Sequence, residues 1–125
     1  MAPLLRTALA TLLAVLLLAP GIADAAEVLQ VRGATLLQVG DHNRNYSVEL
    51  ACITVAAGGE SAAIDWLRHE LPRRAKVNLK PVGSENGTLV ARVQRLDRSD
   101  GSQSTDIAGG LVAAGLAQPL PHCAS

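Results

Sequence analysis

The side chains able to do chemistry are few and scattered: two cysteines (Cys52, Cys123), three histidines (His42, His69, His122) and a run of bases, Arg68, Arg73, Arg74, Lys76 and Lys80. A histidine beside Ser47 or Ser61 would make a nucleophilic pair, but the sequence has no nucleophile elbow to project a serine from a strained turn. Histidines this dispersed read as surface residues. Asp41 and His42 lie in Gly40-Asp41-His42-Asn43-Arg44-Asn45, where Asp-His-Asn is turn chemistry before it is a cation site. Two cysteines without clustered histidine fall short of the ligands of a structural zinc site, so neither metal nor cofactor is expected. The cysteines offer a bridge instead. Period-two alternation puts Cys52 on the strand face of Val48 and Leu50, and joining it to Cys123 would close a loop of about 70 residues, worth roughly 4 kcal/mol in the chain-entropy account. The alternative is a small buried Cys52 and a loose Cys123. Asn45-Tyr46-Ser47 and Asn86-Gly87-Thr88 match the glycosylation pattern, which matters only in a eukaryotic source.

Charge bears on the basic run. The chain has 11 Lys and Arg against 11 Asp and Glu, whereas a protein that grips a phosphate backbone usually has a basic surplus, because displaced counterions supply much of its affinity. The simpler reading is that Arg68, Arg73 and Arg74 finish a helix, where cations favour the negative end of the dipole, and that the lysines face outward on a strand. Tyr46 and Trp66 are the only aromatics, too few for a base-stacking platform. Nucleic acid is therefore not favoured as a partner; a protein or a small ligand is.

Residues 1–25 read as a secretory signal peptide: Arg6 gives the positive start, Ala8 to Ala19 a Leu-rich apolar run, and Ala23-Asp24-Ala25 a small-x-small cleavage site. The apolar run is shorter than the ~20 residues a membrane span needs, and Pro20-Gly21 ends it. Its removal takes away one base, Arg6, and one acid, Asp24, so the mature chain stays neutral and carries no membrane span. Export to periplasm, thylakoid lumen or medium is expected, and there a disulfide persists.

Residues 26–125 must then position everything else. Val28 to Val39 reads as strand, turn and strand, broken at Arg32-Gly33-Ala34, and Tyr46 to Ile53 as a third strand. Ala63, Ile64, Leu67 and Leu71 form one helical stripe, with Ser61 as N-cap and Pro72 as stop. Lys76 to Lys80 alternates as a strand that Pro81 limits, Gly83 to Gly87 is a turn, and Leu89, Ala91 and Val93 carry a fifth strand. Asp100-Gly101 turns the chain into a second helix over Thr105 to Leu116. Its Gly109-Gly110 pair lowers helix propensity by about 1 kcal/mol per glycine, which close packing on the barrel would offset. The predicted fold is mainly β with helices (α+β), a five-stranded OB-type barrel with two packed helices.

Particular residues carry a family resemblance on top of this order. Val28-Leu29-Gln30-Val31-Arg32-Gly33-Ala34-Thr35-Leu36 resembles the first strand and turn of the thermonuclease (staphylococcal nuclease-like) family, whose turn reads Asp-Gly-Asp-Thr; only Gly33 and Thr35 remain of those four. Val48-Glu49-Leu50-Ala51-Cys52-Ile53-Thr54-Val55-Ala56-Ala57 is similar to the family's Val-Arg-Leu-x-Gly-Ile-Asp-x-Pro-Glu, apolar positions kept and polar ones changed. Gly59-Glu60-Ser61-Ala62, Val77-Asn78-Leu79, Leu89-Val90-Ala91-Arg92-Val93, Asp100-Gly101 and Leu111-Val112-Ala113-Ala114-Gly115-Leu116-Ala117 continue the likeness.

The resemblance implies a phosphodiesterase site in which aspartates hold a calcium ion, a glutamate activates water and two arginines clamp the developing charge. Carried over position by position, the aspartates fall on Ala34 and Thr54, the glutamate on Ala57 and the arginines on Glu49 and Thr88, while the family's tyrosine beside the second arginine becomes Asn86. Glu49 puts a negative charge where the transition state needs a positive one, and preorganised charge of the right sign usually supplies the largest share of such catalysis. The expectation is an exported thermonuclease-like domain without catalytic residues, a non-catalytic binding or structural module. The alternatives are a divergent nuclease with a relocated site drawing on Asp41, Glu85 or the Arg68 to Lys80 cluster, or a nucleic-acid binder that does not cleave.

Overall fold

A computed structural model of the 125-residue chain describes residues 26–96 and 106–123. The signal peptide expected at 1–25, the expected Asp100-Gly101 turn and the expected Thr105 start of the second helix lie outside the described residues. The elements are β1 (Ala26–Val31), β2 (Leu36–Asp41), β3 (Arg44–Leu50), β4 (Ile53–Thr54), α1 (Glu60–Glu70), β5 (Lys76–Glu85), β6 (Thr88–Arg95), α2 (Ile107–Ala113), β7 (Gln118–Pro119) and a 3-10 turn, Pro121–Cys123. Five strands close a barrel in the order β1-β2-β3-β6-β5, and β4 pairs with β7 in a separate ribbon. The β3–β6 seam is parallel and the other pairings are antiparallel. With α1 between β3 and β5, this is the expected OB-type barrel.

Alternation fills the interior: Leu37 and Val39 on β2, Val48 and Leu50 on β3, Val77 on β5, and Ala91 and Val93 on β6 are all buried. In β1 both Val28 and Val31 are buried, three residues apart. A register shift between Val28 and Gln30 inserts the extra residue, as a β-bulge does. Ala63, Leu67 and Leu71 of the α1 stripe are buried, and Ile64 packs against the same core half-buried. Ile107 and Leu111 bring α2 onto it.

Several boundaries differ from the sequence reading, each for a local reason. The helix begins at Glu60 with Gly59 as N-cap and no side-chain cap, so Ser61 lies inside α1. The turn closing Gly59 N–H on the Ala56 carbonyl, with Gly58 at φ +88°, starts the helix early, and the Glu60 carboxylate accepts the Gly58 N–H at 3.0 Å. β5 runs through Pro81 to Glu85 because a register shift between Pro81 and Gly83 spares the ladder a missing donor. The turn shrinks to Asn86 and Gly87, both at positive φ, as a two-residue hairpin of this handedness requires. α2 is shorter than predicted: the Asp106 carboxylate caps it by accepting the Gly109 N–H at 3.0 Å, and Ala114 ends it. Gly110 packs on α1 rather than on the barrel, since a Cβ there would lie 2.6 Å from Cη2 of Trp66.

Cys52 and Cys123 form a disulfide with their Cα atoms 5.4 Å apart, closing 71 residues of sequence separation. Cys52 is not on the β3 face as the alternation suggested. β3 ends at Leu50, and Cys52 turns at φ +68°. That turn sends the chain into β4, where Ile53 pairs with Pro119 and Thr54 with Gln118, while the Leu120 N–H donates to the Cys52 carbonyl at 2.9 Å.

Candidate functional site

The five positions matched to the nuclease family are spread over several elements. Glu49 projects from the outer face of β3, half-buried, between Leu36 of β2 and Val90 of β6. Ala34, in the β1–β2 turn, is two residues before Leu36, and Thr88, which opens β6, is two before Val90. The β3–β6 ladder brings Thr88 near Glu49 on the outer surface, whereas Ala34 packs half-buried against the core. Thr54 and Ala57 are exposed beyond the disulfide turn, Thr54 paired to the tail and Ala57 in the turn before α1. No ladder ties those two to Glu49. Glu49, Ala34 and Thr88 supply one carboxylate, one methyl and one hydroxyl, which can neither neutralise a phosphorane-like dianion nor hold a hard cation. Among the described residues there is no group of three or more His, Cys, Asp and Glu able to hold a metal ion.

The other candidates disperse. His42 lies in the β2–β3 turn with Nε2 3.7 Å from Asp41 Oδ1, His69 is exposed on α1, and His122 is exposed in the tail. Ser47 lies in β3 opposite Gln38, and Ser61 on α1. Of the basic run, only Arg68 finishes the helix. Arg73 and Arg74 follow its end, Arg74 at φ +73° with its N–H on the Val28 carbonyl at 2.7 Å, and Lys76 and Lys80 are exposed on β5.

Two hollows adjoin at Arg92 of β6. The larger, about 270 Å³, lies between α2, the Cys52 turn and the tail, walled mainly by Ala51, Ile53, Ala108, Val112, Leu120 and the disulfide. The smaller, about 160 Å³, is polar and lined by Asn78, Lys80, Arg92, Gln94 and Asp106. Arg92 and Asp106 border both. The β5–β6 register places Asn78 opposite Gln94 and Lys80 opposite Arg92, and Asp106 bridges to Gln94. Sequence reading grouped Lys80 with bases near it in the chain and did not single out Arg92. Its signal was the outward alternation of β6, which becomes informative only once the register is known.

A third hollow, about 220 Å³, shares Asn78 with the smaller one and has Asp41, Tyr46, Leu79 and Pro81 in its wall. There the Tyr46 phenol is raised above its ordinary 10.0, chiefly by burial and further by the Asp41 carboxylate, with Arg44 opposing. The raised value means that the fold favours the neutral phenol. That contribution is fully present below the unfolded value of about 10 and is lost as pH rises through the folded value. Tyr46 is the sole tyrosine, so phenolate absorbance should give a single midpoint above 10.0, and Asp41→Asn should lower it. A midpoint at or below that of the unfolded chain would contradict this assignment.

No protein-family model matches this chain, and no curated protein matches it.

Proposed function

We propose that this chain is an exported thermonuclease-like barrel that has lost phosphodiester cleavage and works as a binding module for a small ligand or a protein. The observation that carries the reading is Glu49, held by two ladders between β2 and β6 at the position where the resemblance calls for a cationic clamp. A carboxylate there repels the phosphate, and Ala34, Thr54 and Ala57 supply no anionic oxygens for calcium. The disulfide supports an oxidising compartment, in keeping with the signal pattern at 1–25. Among the described residues no helix is long and apolar enough to cross a membrane. Net neutrality and two aromatic residues weigh against nucleic acid as a partner.

The disulfide-bonded protein, incubated with single-stranded DNA or RNA and calcium, should release no nucleotide above a chelated control. Glu49→Arg should leave that result unchanged, because reversing one charge restores neither the metal ligands nor the second cation. Calcium-dependent release abolished by chelator would overturn the proposal. If that activity then disappeared on neutralising Arg68, Arg73 and Lys80 together, the enzyme reading with a relocated site would replace it.

A further inference from the structure

Lys80 and Arg92 face each other across the β5–β6 ladder, an arrangement with a cost, since like charges directly opposite on one face of an antiparallel pair are destabilising. Both side chains are exposed, and among the described residues neither has an ion-pair partner. The next pair on that face, Asn78 and Gln94, adds two amides. The one carboxylate in the polar hollow, Asp106, already accepts the Gly109 N–H. The rim therefore keeps a surplus of positive charge, with the planar fork of Arg92 able to grip an oxyanion through two parallel hydrogen bonds.

Arg92 also borders the larger hollow, whose remaining wall is chiefly Ala51, Ile53, Ala108, Val112 and Leu120. A mostly apolar concavity with a few convergent polar groups at one side is the usual form of a small-molecule site. Placed end to end through shared residues, the two hollows match a ligand with an oxyanion head and a short apolar body. Charge complementarity sets its polarity: the head on Lys80 and Arg92, the body under α2 and the tethered tail, and Asp106 disfavouring a head placed deeper.

We propose that the joined hollows of β5–β6, α2 and the tail form a binding site for a small soluble anionic amphiphile, a carboxylate or phosphate ester with a short aliphatic body. This names the ligand class of the module proposed above and rests on that reading.

Octyl phosphate, titrated into the disulfide-bonded protein below its micelle concentration, tests the site by NMR. Amide shifts should move together at Ala108 to Val112 and at Arg92. Octanol and octyltrimethylammonium should bind at least about tenfold more weakly, and Lys80→Gln and Arg92→Gln should each weaken octyl phosphate by at least about tenfold, the loss of a charge-assisted hydrogen bond at Lys80 and of the two-bond fork at Arg92. Both residues are exposed, so these variants keep the fold, which an unchanged amide spectrum verifies. Equal binding of the cationic amphiphile, unchanged affinity in both variants, or shifts confined to other surfaces would overturn the site. Association with anionic phosphatidylglycerol vesicles without binding of soluble octyl phosphate would overturn it too, by assigning the cations to a bilayer headgroup. A protein that neither cleaves nucleic acid nor binds octyl phosphate keeps the first proposal and loses this one. A protein that binds octyl phosphate yet cleaves with calcium loses the first.

Discussion

Replacing Cys52 and Cys123 together by alanine is expected to lower the unfolding free energy by about 4 kcal/mol, the chain-entropy value for a loop of this size. The bridge spans 71 residues and encloses β4, α1, β5, β6 and α2, so cutting it frees the unfolded chain across most of the domain. Against the ~5–15 kcal/mol typical of a whole domain that is a large share. In urea the midpoint should fall by more than about 1 M, given the slopes usual for small domains. Losses should also be uneven. The tail is held to the Cys52 turn by the two-residue β4–β7 pairing and the hydrogen bond from Leu120, so amides of Gln118 and Leu120 should exchange fastest in the variant, while those of β2 and β3 stay protected by the barrel. A midpoint unchanged by the double substitution would show that the tail folds independently of the barrel.

Gly110→Leu is expected to cost about 3 kcal/mol, at the upper end of overpacking effects. The indole of Trp66 stands where any side chain at this position must go: a bare Cβ meets Cη2 at 2.6 Å and Cζ2 at 3.0 Å. A rigid ring has no flexible end to move aside, so α1 and α2 must separate, and α1 carries Ala63 and Leu67 of the core. Gly109 provides the contrast. A Cβ there meets only Asp106, at 3.6 Å from Oδ2 and 3.9 Å from Cβ, so Gly109→Ala should stabilise by about 0.8 kcal/mol through helix propensity. Thermal unfolding of the two variants should move in opposite directions. Adding Trp66→Ala to Gly110→Leu should return at least about 1 kcal/mol as a coupling energy, since residues in contact do not behave additively. Equal effects at both glycines would refute the contact.

The barrel was legible because its signal is local and repeated. Leu37 and Val39, Val48 and Leu50, and Ala91 and Val93 alternate with polar neighbours, and the stripe Ala63, Leu67, Leu71 has helical spacing. Features that depend on backbone handedness or on long-range register were not legible. The alternation of β3 runs on smoothly in the sequence through Cys52, yet the chain turns left-handed there, and a cysteine gives no sign of that. Gly109-Gly110 announced close packing, but the partner was Trp66 on the other helix rather than a strand. Pro81 read as a limit to β5, because a register shift around it has no signature in composition. The same shift hid the opposition of Lys80 and Arg92. The positions matched to the nuclease family came from resemblance, and the ladders bear on two of them: Glu49 and Thr88 lie near each other on the outer face, while Ala34 packs against the core and Thr54 and Ala57 stand apart.

The parallel seam between β3 and β6 sets the order in which this protein can assemble. Val48 must find Leu89 and Leu50 must find Ala91, so the cylinder stays open until the sixth strand has left the ribosome. Until then the β1-β2-β3 meander presents an unfinished edge, and contacts made across so much intervening chain slow the search. The Asn86-Gly87 hairpin shortens it by delivering β6 already zipped to β5. Late closure also keeps Cys52 waiting for a partner 71 residues further along the chain, so the native bridge can form only after β5, β6 and α2 have been made.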